Sequence, residues 1–222
     1  KLTKGLEKLR KSGKVKWLKP DGKSQVTISN NQIETILIGC QHDPKVTQEE
    51  IKTTLAKLLV NPLLEKTGRD KNEVQFFVNL GGRFVLGGFA ADTGLTGRKI
   101  MVDTYGGLIP HGGGCFSGKD PSKVDRSAAY MARFVAKNLV VNGYAKKCLV
   151  SVAYAIGRAE PLMVEALDEK EKNLTRLVNK KFDFRPRAII ERLGLQRPIY
   201  LQTAAYGHFG KPGLPWERII KI

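Results

Sequence analysis

The sequence has few cysteines and no long apolar segment. Its three cysteines, Cys40, Cys115 and Cys148, are too few and too scattered for a disulfide framework or a zinc site. No stretch approaches the roughly 20 apolar residues that a membrane helix needs. The first residues, Lys1 to Lys4, carry no apolar signal region. We therefore expect a protein of the reducing cytoplasm, without a membrane partner.

Acidic residues are also scarce. The 222 residues include 21 Asp and Glu against 38 Lys and Arg, which gives a net charge of +17. Such a field attracts polyanions: nucleic acid, nucleotides or phosphate groups. Residues 1–23 carry nine of the basic side chains, although a run of charges is most often a solvated surface. Apolar residues make up 41% of the chain, which is typical of a globular protein with an ordinary core.

Local patterns predict the elements of the N-terminal part of the chain. In order, they are a helix over residues 1–12 that Gly13 ends, a turn at Pro20 to Lys23, a hairpin around Ser29 to Asn31, a helix that Thr47 and Glu50 begin as a capping box and Pro62 limits, and a strand over Val74 to Val78.

Glycines punctuate the middle of the chain from Gly81 to Gly118, where only Ile100 to Val102 reads as a strand. A loop region this long is usually functional. It ends at Asp120-Pro121, which predicts the cap and first residue of a helix that runs to about Asn138.

The C-terminal part repeats strands and helices. It reads as strands over Leu149–Ala155 and Leu162–Leu167, then helices over Leu174–Val178 and Pro186–Leu193, the latter closed by Gly194. Strand pairs followed by helices predict an α+β fold, in repeated units of mixed sheet with helices packed on one face.

The segment from Gly113 to Asp120 is the most informative for chemistry. Its glycines allow backbone N–H groups to converge, and Lys119 adds a full positive charge at the start of a helix. The spacing matches most of a P-loop pattern, but Asp120 stands where Ser or Thr would hold magnesium and no strand comes directly before it. A P-loop NTPase is thereby excluded. A phosphate cradle and a flexible surface loop remain as alternatives.

Charged neighbours favour the phosphate cradle. Arg98 and Lys99 form a cation pair in the same glycine-rich stretch. Lys119 and Lys123 are four residues apart, which predicts that they share one helix face with an anion between them. Asp125 suits a magnesium ion carried by phosphates, or it compensates the helix dipole.

Six segments carry a resemblance that is more specific than any single motif. They are Trp17–Val26, Gly94–Ile100, Val102–Gly107, His111–Ala128, Tyr154–Gly157 and Thr203–Gly210. Together they resemble the S-adenosylmethionine synthetase (methionine adenosyltransferase) family, and the resemblance covers nearly the whole chain. It implies that residues 1–84 are part of the family's middle domain and that residues 85–222 are its C-terminal domain.

The resemblance also implies an activity and its residues. The family makes S-adenosylmethionine from ATP and L-methionine and releases pyrophosphate and phosphate, with Mg²⁺ and K⁺. Lys23, Arg98 and Lys119 would act in catalysis by holding the triphosphate. The ATP contacts would be Asp21, Lys23, Arg83, Phe84, Asp92, Arg98, Lys99, Cys115 and Lys119. Asp92 and Lys123 would contact methionine, and Asp125 would bind the metal.

The chain also departs from the family pattern. The N-terminal region that carries a His and an Asp for ATP and magnesium, and an acidic potassium ligand, is not in this sequence, so we expect the isolated 222 residues to be inactive. The resemblance implies a homo-oligomer, a dimer of dimers. Two alternatives stay open: a non-catalytic or truncated member of the family, and a basic nucleic-acid-binding module, although no nucleic acid is expected. His111 and His208 are interpreted as structural residues.

Overall fold

The structure is a computed structural model that describes the backbone of residues 1–222 and every side chain other than that of Lys71. It divides into two compact units, Lys1–Gly94 and Leu95–Ile222. Within the described residues, no helix combines the length and the apolar character that a membrane crossing requires.

The first unit packs helices on one face of a three-stranded sheet. Its elements are α1 (Leu2–Lys11), β1 (Leu18–Ser29), β2 (Gln32–His42), α2 (Gln48–Leu55), a π-helical segment (Ala56–Val60), α3 (Asn61–Glu65), a short 3₁₀ turn (Lys71–Glu73) and β3 (Gln75–Val78). Strand β2 lies between β1, to which it is antiparallel, and β3, to which it is parallel. The sheet is therefore mixed, as predicted.

Alternation along β2 fixes which face of this sheet meets the helices. Ile36, Ile38 and Cys40 are buried, with less buried residues between them, the pattern of a strand with one covered face. They share a core with Leu6 of α1 and Ile51 of α2. The hairpin turn that sets this register uses Asn30 and Asn31, both with positive φ, as a two-residue hairpin loop requires.

The predicted turn at Pro20 to Lys23 is wrong. These residues lie inside β1, where the register slips between Leu18, which faces His42, and Gly22, which faces Cys40. Three residues of β1 therefore oppose Gln41 alone, which is a bulge. A bulge tolerates Pro20 because its extra residues need no backbone N–H for the hydrogen bonds between the strands. The bulge also brings Asp21 next to Gln41.

The predicted stop at Pro62 is also wrong. Thr47 caps α2 through its hydroxyl, which accepts the Glu50 N–H at 3.1 Å, so the capping box is confirmed at its first half. The helical path then continues through the π segment into α3, which contains Pro62 in its first turn. Pro lacks only the N–H that a helix start leaves unpaired, and a π segment resets the hydrogen-bonding register just before it.

The second unit consists of helices around a two-stranded antiparallel sheet. Its elements are α4 (Ile100–Asp103), α5 (Val124–Val141), β4 (Cys148–Ala153), β5 (Met163–Asp168), α6 (Thr175–Lys181), α7 (Pro186–Leu193) and 3₁₀ turns at Tyr200–Thr203 and Pro215–Glu217. The α+β class is confirmed, and this second sheet is antiparallel rather than mixed. Gly194 ends α7 with a left-handed conformation, as its position after Leu193 predicts.

Helix α5 is the centre of this unit. Met131, Phe134, Val135 and Leu139 on it have no exposed surface, and they pack with side chains from β5, α6 and α7 in one core. Their spacing places them on one face, which is the buried stripe of the helix. The helix also positions the loop of residues 111–123, which leads directly into it.

Two predictions near that loop are wrong. Ile100 to Val102 form one turn of helix rather than a strand, because β-branched residues make a strand only beside a pairing partner, and this turn instead bonds Asp103 N–H to the carbonyl of Lys99. Helix α5 begins at Val124 with Lys123 as its cap, so Asp120-Pro121 precede the helix as a separate turn.

Candidate functional site

The loop of residues 111–123, which we call the glycine-lysine loop, is anchored by one aromatic residue. Phe116 is 3% exposed, and its ring meets the edges of Tyr130 and His208 at centroid distances of 5.6 and 5.0 Å. The backbone then turns back, with Lys119 N–H bonded to the carbonyl of Phe116 at 3.1 Å. Burial of this single ring fixes a loop that is otherwise built from glycines, so the flexible-loop alternative does not describe its base.

Each lysine of the loop has its own carboxylate. Lys119 Nζ lies 2.5 Å from Asp125 Oδ2, and Lys123 Nζ lies 2.6 Å from Asp120 Oδ2. The prediction that Lys119 and Lys123 share one helix face is wrong, because α5 begins only after both. Each ammonium charge is paired with a carboxylate of this chain.

These pairs shift the proton affinities of their members. The hydrogen bond that Lys119 donates to Asp125 raises the pKa of Lys119 above its usual range, with a smaller contribution from Cys115. The pKa of Asp120 is lowered, first by Lys123 and then by the Ser122 hydroxyl and N–H. Lys119 and Asp120 therefore both stay charged at neutral pH. Asp120 does not cap α5, because its carboxylate is used by Ser122 and Lys123.

Two glycines allow the close approaches that shape the loop. A Cβ on Gly114 would lie 2.5 Å from Asp125 Oδ1, and a Cβ on Gly97 would lie 2.6 Å from the Cβ of Cys115. Gly97 also has φ +81, which other residues rarely adopt. Larger residues would push the chain around Arg98, Cys115 and Asp125 apart.

The two cations beside Gly97 remain exposed. Arg98 and Lys99 form no ion pair with any described side chain, and Lys99 is the residue before α4. They belong to the same unit as Lys119, so this unit presents several cations on glycine-rich backbone. Such groups suit a polyanionic ligand.

A buried network that the motifs do not indicate lies behind the loop. Arg126, only 5% exposed, donates to the carbonyl of Lys119 at 2.7 Å and to the hydroxyl of Tyr130 at 3.1 Å. That hydroxyl lies 2.7 Å from Nδ1 of His208, and Nε2 of His208 lies 3.3 Å from the hydroxyl of Ser117. The only sequence signal was His208 beside two glycines, and its partners lie far away in the chain.

The first unit holds a second group of candidate residues. Asp21 Oδ2 accepts the Gly88 N–H at 2.8 Å, and Gln41 donates to the carbonyl of Val85 at 3.1 Å. These bonds tie the β1 bulge to the segment after β3. Asp21 is therefore a fixed carboxylate at a bulge, and Lys23 follows it as an exposed residue opposite Gly39.

Arg83 and Phe84 are placed by a histidine. The backbone N–H of His42 donates to the carbonyl of Phe84 at 2.9 Å, and the backbone N–H of Phe84 donates to the ring Nε2 of His42 at 3.0 Å. The ring of Phe84 is half-buried rather than a core residue, and Arg83 is exposed, with one bond to the carbonyl of Pro44. An aromatic ring and a cation presented side by side suit a stacked base.

Asp92 lies in a turn. Its Oδ1 accepts the Gly94 N–H at 2.9 Å, which is the common role of an acid in a glycine-rich loop. The other oxygen has no bond to any described residue. The carboxylate is exposed and so remains able to accept a bond from an ammonium group.

The residues fit a metal only in one limited way. No group of three or more His, Cys, Asp or Glu in the described part of the chain could hold a metal ion. Cys40 and His42 therefore belong to no such group. A single carboxylate is nevertheless enough for Mg²⁺ when substrate phosphates supply further oxygens. Asp125, with a side chain that is 49% exposed, fits that requirement.

Comparison with known proteins identifies the chain's relatives. The model of the S-adenosylmethionine synthetase central domain matches residues 1–84, and the model of its C-terminal domain matches residues 86–218. The S-adenosylmethionine synthase of Deinococcus deserti is 52% identical over 98% of this chain, that of Thermus thermophilus 49% over 100%, and that of Pseudothermotoga lettingae 53% over 96%.

These relatives are longer than the chain. The chain spans 57% of the Deinococcus and Pseudothermotoga proteins and 59% of the Thermus protein. Both family models together cover nearly every residue, and the identities of 49–53% are measured over 96–100% of the chain. The chain therefore belongs to the S-adenosylmethionine synthetase family.

Proposed function

We propose that this chain serves a methionine adenosyltransferase, which forms S-adenosylmethionine from ATP and L-methionine and releases pyrophosphate and phosphate. The observation that carries the proposal is the 52% identity to the S-adenosylmethionine synthase of Deinococcus deserti over 98% of the chain. The charged loop of the second unit supports it, because its residue types suit the chemistry.

The first reaction step needs charge stabilisation and no proton transfer. A lone pair of the methionine sulfur attacks C5′ of the ATP ribose, and the C5′–O5′ bond breaks with its electron pair on the triphosphate. A sulfonium ion and a free triphosphate result. Since a thioether has no proton to lose, the enzyme must chiefly stabilise the leaving group, and preset cations do this best.

The cations of this chain match that need. We assign Arg98, Lys99 and Lys119 in the second unit, and Lys23 in the first, to the triphosphate. Lys119 is already protonated and held beside Asp125, so it needs only to exchange one anionic partner for another. Arg98 and Lys99 are exposed and lack competing ion pairs with described side chains, so little is lost when they turn to phosphate oxygens.

Asp125 would hold a magnesium ion, since its side chain is 49% exposed and only its Oδ2 bonds to Lys119. When bound, magnesium neutralises charge on the phosphate oxygens. Lys119 would be available to the phosphate oxygens as a second source of positive charge. Potassium is carried over from the family alone, and no residue of this chain is assigned to it.

The remaining assignments concern ATP and methionine. Phe84 would stack on the adenine with Arg83 beside it, and Asp21 would contact the nucleotide. The backbone at Cys115 would touch ATP. Asp92 would accept the ammonium group of methionine, and Lys123 would meet its carboxylate. We further propose a cytoplasmic homo-oligomer, a dimer of dimers, as in the family.

Replacement of Lys119 tests the proposal. In the full-length protein, Lys119→Ala should lower the turnover number for S-adenosylmethionine formation about 100-fold, the usual effect of removing one stabilising donor, with the KM for methionine nearly unchanged. Lys180→Ala removes an exposed lysine of α6 and is the matched control. A rise in the KM for methionine with unchanged turnover would contradict the role.

The net charge of +17 favours one other candidate function, a nucleic-acid-binding module. Binding to nucleic acid should weaken steeply with salt and ignore methionine. Protein that binds single- or double-stranded oligonucleotides tightly at physiological salt and forms no S-adenosylmethionine would favour that candidate.

A further inference from the structure

The hydrogen bonds behind the glycine-lysine loop form a closed circuit. It leaves the loop at the carbonyl of Lys119, passes through Arg126, Tyr130 and His208, and returns at Ser117. The two loop residues at its ends are only two positions apart. A circuit of this kind holds the short segment between its ends at both sides.

One assignment of protons satisfies every bond of the circuit. Arg126 can only donate, so the hydroxyl of Tyr130 accepts its N–H and is able to donate its own proton to Nδ1 of His208. An imidazole that accepts at Nδ1 carries its proton at Nε2 when neutral. Nε2–H is then the donor to the hydroxyl of Ser117.

The surroundings keep this arrangement in place. His208 is 1% exposed and Tyr130 has no exposed surface. Tyr130 stacks on Trp216 with ring centroids 3.6 Å apart, while the indole N–H of Trp216 bonds to the carbonyl of His208 at 2.8 Å. Burial raises the pKa of Tyr130 to about 12, so its hydroxyl remains a donor.

We propose that His208, held by Tyr130 as the Nε2–H tautomer, is a positioning residue that sets the glycine-lysine loop for triphosphate. The inference rests on the proposed function only for the identity of the ligand. Neither side chain is assigned a contact with the phosphates. Both act through Ser117 and the backbone of Lys119, whose ammonium group is assigned to the leaving group.

Two substitutions of His208 separate the donor from the ring. In His208→Gln, the amide NH₂ takes the place of Nε2–H and can still donate to Ser117. In His208→Asn, the shorter amide reaches only the Nδ1 position, next to Tyr130. Tyr130→Phe removes the hydroxyl that selects the tautomer and leaves the stack on Trp216.

The experiment measures the loop first without ligand. Hydrogen exchange in the purified protein should be about tenfold faster for amides of residues 114–119 in His208→Asn and Tyr130→Phe, the change expected for one lost buried hydrogen bond. Exchange in β4 should not change, and His208→Gln should resemble the wild type. Nitrogen NMR of wild-type His208 should report the Nε2–H tautomer.

Affinity for inorganic tripolyphosphate with Mg²⁺ is measured next. It should fall at least fivefold in His208→Asn and Tyr130→Phe and stay within twofold in His208→Gln. Loop exchange or affinity that is unchanged in both of the first two variants, or the Nδ1–H tautomer in the wild type, would overturn the proposal. Wild-type and Lys119→Ala proteins that bind tripolyphosphate equally would instead overturn the proposed function, whatever the exchange data show.

Discussion

Mild acid should destabilise the second unit through one buried histidine. Burial lowers the pKa of His208 from 6.5 to about 4, and the charges of Arg126 and Lys211 add to the effect. The unfolded chain therefore binds a proton at His208 between about pH 6.5 and 4 that the folded protein does not bind. Stability rises with pH wherever the unfolded state binds more protons, so it must fall as the pH is lowered through this window.

The two pKa values set the size of the effect. With 6.5 in the unfolded state and about 4 in the folded state, the free energy of unfolding should drop by about 2 kcal/mol between pH 7.5 and 5, and by about 3 kcal/mol at pH 4. The pKa of Glu217 is lowered in the folded protein by Arg133 and Lys137 against the effect of burial. Its contribution is lost mainly below its ordinary value of 4.5, so the upper part of the window isolates the histidine.

Urea unfolding at about pH 7.5, 6 and 5 measures this loss. Trp216 is fully buried in the second unit, and in a Trp17→Phe background it is the only tryptophan, so its fluorescence reports that unit. His208→Gln in the same background removes the titrating group. If the wild type and His208→Gln lose equal free energy between pH 7.5 and 5, the buried neutral histidine is not the cause and the reasoning is refuted.

Three further substitutions test the packing by urea unfolding. Glu217→Gln should lower the free energy of unfolding by about 3 kcal/mol, because Arg133 and Lys137 bond to this buried carboxylate and would lose their counter-charge. A change within 0.5 kcal/mol would mean that these ion pairs are dispensable. Phe134→Ala should cost about 3–5 kcal/mol. Val141 is 51% exposed, so Val141→Ala should cost under about 1 kcal/mol. Equal costs for the two substitutions would contradict the assigned core. Thr47→Ala removes the α2 cap and should cost about 1 kcal/mol, with Thr47→Ser close to the wild type.

Elements governed by neighbouring residues were predictable. Gly13 follows the end of α1 with positive φ, Asn30 and Asn31 form the hairpin turn, and Gly194 closes α7. Each of these features depends on the conformational preference of a single residue or on a bond within one turn. Such preferences are written in the local sequence and need no distant partner.

Elements governed by a distant partner were mispredicted. Pro20 to Lys23 read as a turn, yet Gly22 and Lys23 pair with β2 while Pro20 and Asp21 lie in a bulge of β1. Ile100 to Val102 read as a strand, yet no strand in the described part of the chain pairs with them. The helix expected at Pro121 begins three residues later, because Asp120 bonds to Ser122 and Lys123 instead of capping it.

The residue types and order of the glycine-lysine loop, and the family to which they point, were determined by the sequence alone, because both are properties of a linear pattern. Only the tertiary structure decided that Lys119 pairs with Asp125 and that Lys123 pairs with Asp120. It also decided that Ser117 meets His208, 91 residues away. The contact between Ser117 and His208 accompanies the packing of Phe116 against Tyr130 of α5, and no local preference encodes it.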